Sequence, residues 1–145
     1  AVADYAASFG STQNLNRANG LIVPTVDFNN STDANGLAPG WRGRVSLNTI
    51  PDGASQTFLF GEKHVRPKSL RGKNEDRSIF GGQLNAIRRI AGDDPNNDKV
   101  RPLMPPDAQT VADANSSFGG PHAGVCLFVF GDGRVASLRT SLTLD

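Results

Sequence analysis

Val125-Cys126-Leu127-Phe128-Val129-Phe130-Gly131-Asp132-Gly133-Arg134-Val135-Ala136-Ser137-Leu138 is the stretch that decides the architecture. Its first six residues are apolar, and in extended backbone Val125, Leu127 and Val129 point to one face while Cys126, Phe128 and Phe130 point to the other. A strand that is apolar on both faces is one covered on both sides, so 125–130 reads as the central strand of a sheet. Asp132-Gly133 then supplies the residues that tolerate positive φ in a tight turn, and Arg134 to Leu138 returns as a second strand. Gly131-Asp132-Gly133-Arg134-Val135-Ala136 also matches the spacing of a dinucleotide-binding loop. That loop must open a helix within a βαβ unit, and no such unit follows in the residues from Arg134 to Asp145.

Working upstream, Gln56 to Gly61 is another short strand, with Thr57-Phe58-Leu59-Phe60 as its apolar body. A second Asp-Gly pair, Asp52-Gly53, leads into it after Pro51, which fixes φ and removes a donor. Leu21-Ile22-Val23 and Arg44 to Leu47 are further strand candidates bounded by turn residues. Helical periodicity is scarce; Gln83 to Ile90, with Leu84, Ile87 and Ile90 at helical spacing and a stop at Gly92, predicts two turns. The fold class expected is therefore α+β, mainly an antiparallel β-sheet with long loops, in a single domain over 1–145. A loop-rich insertion is expected at about 62–111, and a loop of that length is usually functional or wrapped over the surface.

Composition narrows the function classes. The chain has 145 residues, 15 Lys+Arg against 14 Asp+Glu, a net charge of +1, and 16 Gly and 9 Pro that imply many turns. Near-neutral charge argues against a dedicated nucleic-acid binder. The single cysteine, Cys126, excludes an internal disulfide and a multi-thiolate metal site, and its place in the apolar run predicts a buried, inert thiol. No apolar run approaches the roughly 20 residues needed to cross a bilayer as a helix. The sequence opens Ala1-Val2-Ala3, so it is expected to be processed, truncated or an expressed fragment, with any signal or anchor upstream.

Chemical motifs are sparse. There is no nucleophile elbow, and two histidines, His64 and His122, are too few for a multi-histidine centre. Asp94, Asn96 and Asp98 alternate in a way that could turn oxygen ligands toward calcium, although the glycine and the final glutamate of an EF-hand loop are missing and a polar turn is the plainer reading. Lys63, Arg66, Lys68, Arg71 and Lys73 form a basic segment that would suit a polyanion but is more often simply solvated.

Three segments carry a family resemblance: Asp4-Tyr5-Ala6-Ala7 followed by Gly10; Ile50 to Glu62, containing Asp52, Gly53, Ser55, Thr57, Gly61 and Glu62; and His122 with Asp132-Gly133 ten and eleven positions later, an H-x9-DG pattern. Together they resemble the C-terminal region of prepilin-like proteins of unknown function abundant in planctomycetes. Ala54 and Gln56 depart from the usual Thr and Asn, Pro121 precedes His122 instead of following it, and Arg134 replaces a Ser. The resemblance implies the exposed globular domain of a type IV pilin-like or type II secretion pseudopilin-like subunit, lacking its N-terminal helix, displayed outside the cytoplasmic membrane, with no established catalytic activity.

Ten residues of strand span about 33 Å, so His122 and Asp132 are expected at opposite ends of the central strand, not as a dyad. His122 is expected to cap the strand entry, with Asp52 or Glu62 as its partner, and Asp132-Gly133 to form the hairpin. Three functions follow as expectations. The first is a structural or interaction protein that self-associates, or joins other pilin-like subunits, in an extracellular filament or pseudopilus. The second is an extracellular binding module whose 62–111 loops hold a glycan, a protein or calcium. The third is a hydrolase using two of Asp4, Asp52, Glu62 and Asp132, for which no spacing selects a pair. No cofactor other than calcium is implied.

Overall fold

The computed structural model describes residues 3–12, 18–23, 45–81, 84–94, 99–108 and 114–142. Its main sheet has five strands: β1 (Tyr5–Ser8), β2 (Phe58–Glu62), β3 (Arg88–Arg89), β6 (Val125–Phe130) and β7 (Val135–Arg139), in the order β3-β1-β2-β6-β7. The β1–β2, β2–β6 and β6–β7 pairs are antiparallel, and β3 joins β1 in parallel, so the sheet is mixed. A separate two-stranded ribbon pairs β4 (Gly92–Asp94) with β5 (Lys99–Arg101). Among the described residues the helical elements are a single turn, α1 (Leu84–Ile87), and four short 3-10 turns.

β6 lies between β2 and β7, and its alternation sorts the sheet faces. Cys126, Phe128 and Phe130 are buried, whereas Val125, Leu127 and Val129 are half-buried. The buried row packs with Leu103 and Phe118, and Phe58, Ala136 and Leu138 close around it. Phe58 stacks on Phe128 with ring centroids 4.3 Å apart, and Phe118 meets Phe128 edge-on at 5.0 Å, geometries that aromatic pairs favour.

Both Asp-Gly pairs form the same turn at one end of the sheet. Gly133 donates its N–H to the Phe130 carbonyl at 3.0 Å, and Gly53 donates to Ile50 at 3.1 Å; both glycines have positive φ, +85° and +79°. The glycine therefore takes the left-handed position that closes a turn and lets the strand resume. The turns are stapled together: Gly131 donates to the Thr57 carbonyl at 2.9 Å, and the Arg134 guanidinium donates to the Ser55 carbonyl at 2.8 Å while lying 3.8 Å from the Phe130 ring centroid.

Several sequence expectations are corrected. Leu47 belongs to a 3-10 turn, Leu47–Thr49, capped by Ser46 with a reciprocal Thr49 bond, not to a strand; Arg44 lies outside the described residues. Leu21 and Ile22 form a bend and Val23 is in no regular element, so 21–23 is not a strand. The helix expected over Gln83 to Ile90 stops at Ile87, because Arg88 and Arg89 pair with Ala7 and Ser8; Gln83 is outside the described residues. Tertiary pairing overrides local periodicity there. The stretch from Glu62 to Arg101 carries much of this structure, including strand β3 of the main sheet.

Candidate functional site

Where β1 and β2 end opposite the Asp-Gly turns, the chain opens a cleft of about 500 Å³. Tyr5 pairs with Glu62 across the β1–β2 ladder, and Lys63 donates its backbone N–H to the Asp4 carbonyl at 2.8 Å. Gly119 donates to the Glu62 carbonyl at 3.0 Å, which brings the 117–122 segment alongside. Asp4, Tyr5, Glu62 and His122, drawn from three segments distant in sequence, thus line one cleft.

Glu62 is the hub. Its carboxylate is buried; Oε2 accepts the Leu127 N–H at 2.8 Å, and Oε1 lies 3.2 Å from His122 Nε2. A side chain at position 120 would fall on that carboxylate, so Gly120 gives it room. His122 is 53% exposed and covers the carboxylate from the solvent side, at the entry to β6. Of the two partners considered for His122, the structure places Glu62 beside it, while Asp52 lies exposed in the turn at the other sheet end. Asp132 and Gly133 also lie at that far end, where the Asp132 carboxylate accepts the Arg134 N–H at 2.9 Å and Thr57 donates its hydroxyl to the Gly53 carbonyl at 3.0 Å. The site residues thus divide into a cleft group and a turn group, separated by the length of β6.

Because Glu62 bridges the sheet to His122 from a buried position, its removal is expected to cost more than removal of its exposed partner. Glu62→Ala should destabilise by about 2–3 kcal/mol, since the Leu127 N–H loses a charged acceptor, and His122→Ala by less than about 1 kcal/mol. Urea unfolding of both variants checks the order; a larger loss for His122→Ala would contradict it.

The wall facing Glu62 comes from the basic segment, which is not a simple solvated run. Lys68, Arg71 and Lys73 are exposed, but Lys63 is buried and Arg66 is partly covered. Arg66 grips Glu75 through Nε at 2.7 Å and Nη2 at 3.0 Å, and its backbone N–H donates to the same carboxylate at 3.0 Å. Burial opposes the charge on Glu75, but the Arg66 guanidinium and the backbone donors overcome it and hold the carboxyl at about 2. Asp76 Oδ2 accepts from the backbone N–H of Arg71 at 2.7 Å and Gly72 at 3.2 Å. Beneath them Arg89, fully buried on β3, donates to the carbonyls of His64 and Glu75 at 3.4 and 3.3 Å; burial lowers its pKa to about 9.

The Cys126 thiol faces the core, 3.8 Å from the Glu62 carbonyl, and burial pushes it up to about 12, so it is no nucleophile at neutral pH. Asp94 ends β4 opposite Lys99, while Asn96 and Asp98 lie outside the described residues. Among the described residues no group of three His, Cys, Asp or Glu side chains is placed to hold a metal ion, and no helix is long and apolar enough to cross a membrane.

Lys63, Glu75, Asp76 and Arg89 were not singled out by sequence as members of a buried cluster.

Compared with known proteins, residues 3–145 match the family described as "Protein of unknown function (DUF1559)". No curated protein and no solved structure gives a significant match.

Proposed function

The chain belongs to the DUF1559 family, and on that premise we propose that it is the exposed globular domain of a pilin-like or pseudopilin-like subunit, built into an extracellular filament or secretion pseudopilus. The observation that carries this reading is the second face of the main sheet. Register places Tyr5, Ala7, Phe60, Val125, Leu127, Val129 and Val135 together there, with Glu62, Ser137 and Arg139 bordering them on the same face at the cleft end. Tyr5, Phe60 and Val135 are 49%, 38% and 65% exposed, and the β6 side chains between them are half-buried. A sheet with an apolar second face is one that another element covers.

The occupant is an apolar helix of the subunit assembly, of the type that the resembled proteins carry ahead of this domain. Tyr5 begins β1 on this same face, so a segment entering β1 from upstream reaches it directly. Among the described residues β7 is the sheet edge, a position suited to lateral contact.

The test is negative-stain electron microscopy of native material from the producing cells, with mass spectrometry of the N-terminus, for the wild type and a Phe60→Asp/Val135→Asp variant. Ordered fibres are expected from the wild type and none from the variant, whose melting temperature as an isolated domain should fall by only a few degrees because both positions are exposed. Monodisperse wild-type particles, or a variant that assembles normally, would overturn the reading.

A further inference from the structure

The cleft at Glu62 contains one group that assembly through the opposite end of the sheet face does not use. Lys63 is 3% exposed and forms part of the cleft wall, yet its Nζ has no hydrogen-bond partner among the described residues. An ammonium has three donors and no acceptor, and leaving all three unmet in a buried place is costly. Two of the three cleft carboxylates, Asp76 and Glu62, are already engaged with protein groups. Asp76 accepts two backbone N–H groups, and Glu62 accepts from Leu127 and faces His122. Burial lowers the Lys63 pKa and Arg89 adds to that, while Asp76, Asp4 and Glu75 act the other way.

The rest of the lining narrows the ligand. Asp4, Glu62 and Asp76 outnumber Lys63, so a simple anion would be repelled, and a ligand must bring a positive group as well as an acceptor for Nζ. Val65, Leu70 and Pro106 offer an apolar wall. A volume of about 500 Å³ is that of a small-molecule site.

We propose that this cleft binds a zwitterion of the amino-acid class, a single apolar residue or a dipeptide, with its carboxylate on Lys63, its ammonium toward Asp4 and Glu62 at the mouth, and its side chain against Leu70 and Val65. Nζ is closed off from solvent in the ligand-free chain, so binding requires the Lys63 side chain to turn into the cleft. The inference does not rest on filament assembly, although Tyr5 belongs to both surfaces: a monomeric domain could hold the same ligand, and a filament subunit could lack it.

The experiment is thermal melting and calorimetric titration of the full chain with L-leucine and L-leucyl-L-leucine. Leucinamide, which lacks the carboxylate, and 4-methylpentanoate, which lacks the amine, are the controls. At about 10 mM, one of the two zwitterions is expected to raise the melting temperature by several degrees, and neither control should do so. Lys63→Met should abolish the response while itself raising the ligand-free melting temperature, since it replaces an unpaired buried charge by an apolar group of similar length. Asp4→Asn, at an exposed position, should weaken binding about tenfold. No response to either zwitterion, an equal response to a control, or a full response in a folded Lys63→Met variant would overturn the proposal.

Discussion

Arg66→Ala is expected to lower the stability of the domain by about 3–5 kcal/mol at neutral pH, the usual consequence of leaving one member of a buried ion pair without its partner. The Glu75 side chain is fully buried, Arg66 is 11% exposed, and the contact is bidentate, so little solvent screening is available. The pH dependence identifies the cause. In the wild type, Glu75 has a folded value of about 2 against 4.5 as the ordinary value. A depressed carboxyl contributes stability that is complete above the unfolded value and is lost as pH falls through the folded one, so this contribution disappears between about pH 4.5 and pH 2. Removing the Arg66 guanidinium takes away the strongest of the groups that oppose burial at Glu75, so the folded value rises and acid costs the variant less stability than it costs the wild type. The deficit should be large at pH 7 and much smaller near pH 2.5, measured by urea unfolding at both. His64, pushed down chiefly by burial, adds acid sensitivity below its ordinary value of 6.5; the burial is common to both proteins, and only the smaller push from the Arg66 charge is lost in the variant. An equal deficit at the two pH values would show that Arg66 acts through packing alone.

Gly61→Ala is the second large effect. A β-carbon there would lie 2.5 Å from Phe128 Cε1 and 2.7 Å from Phe118 Cδ1. Neither ring can yield, since Phe118 and Phe128 are 0% and 1% exposed and Phe58 is stacked on the second. Overpacking of this kind costs about 1–3 kcal/mol, and the rigidity of the aromatic cluster places it at the upper end. The melting temperature should fall by about 6–9 °C, and Phe118→Leu in the same chain should recover part of the loss by making room. Gly53→Ala is the contrast: nothing lies within 4 Å of its β-carbon, so only the cost of positive φ remains. A Gly61→Ala variant as stable as the wild type would mean that the cluster is loosely packed.

These two sites also show what could be read from the sequence. The β6–β7 hairpin and both Asp-Gly turns were legible, because their geometry is set by residues within a few positions of one another and by the two-residue period of the strands. In the sequence Gly61 reads as the boundary of its strand, because glycine usually punctuates. Here the strand runs through it to Glu62, and the glycine is required by a ring from a strand more than sixty positions away. Asp4, Tyr5, Glu62 and His122 were singled out as motif residues, and the Glu62–His122 contact was one of two options, but their convergence with Asp4 and Tyr5 depends on long-range pairing.

The charged interior was illegible for a different reason. Lysines and arginines in a polar, proline-containing segment are ordinarily solvated, so Lys63 and Arg66 carried no sign of burial. Only the fold brings Glu75 back to Arg66 through a 3-10 turn at Asn74–Asp76 and sets Arg89 beneath both. Arg88 and Arg89 likewise fell inside a window with helical spacing, and their pairing with β1 has no local signature.

The claim that the open sheet face is an assembly surface is tested most directly by a photo-activated cross-linker placed at Val135 in the native full-length protein on the cell surface. Cross-links from position 135 to an apolar segment of the same or a neighbouring subunit are the predicted result. A cross-linker at Asp132, in the turn group, serves as the comparison and should give few or none to that segment. Cross-linking from Val135 no greater than from Asp132, in material shown to contain the protein, would contradict the account.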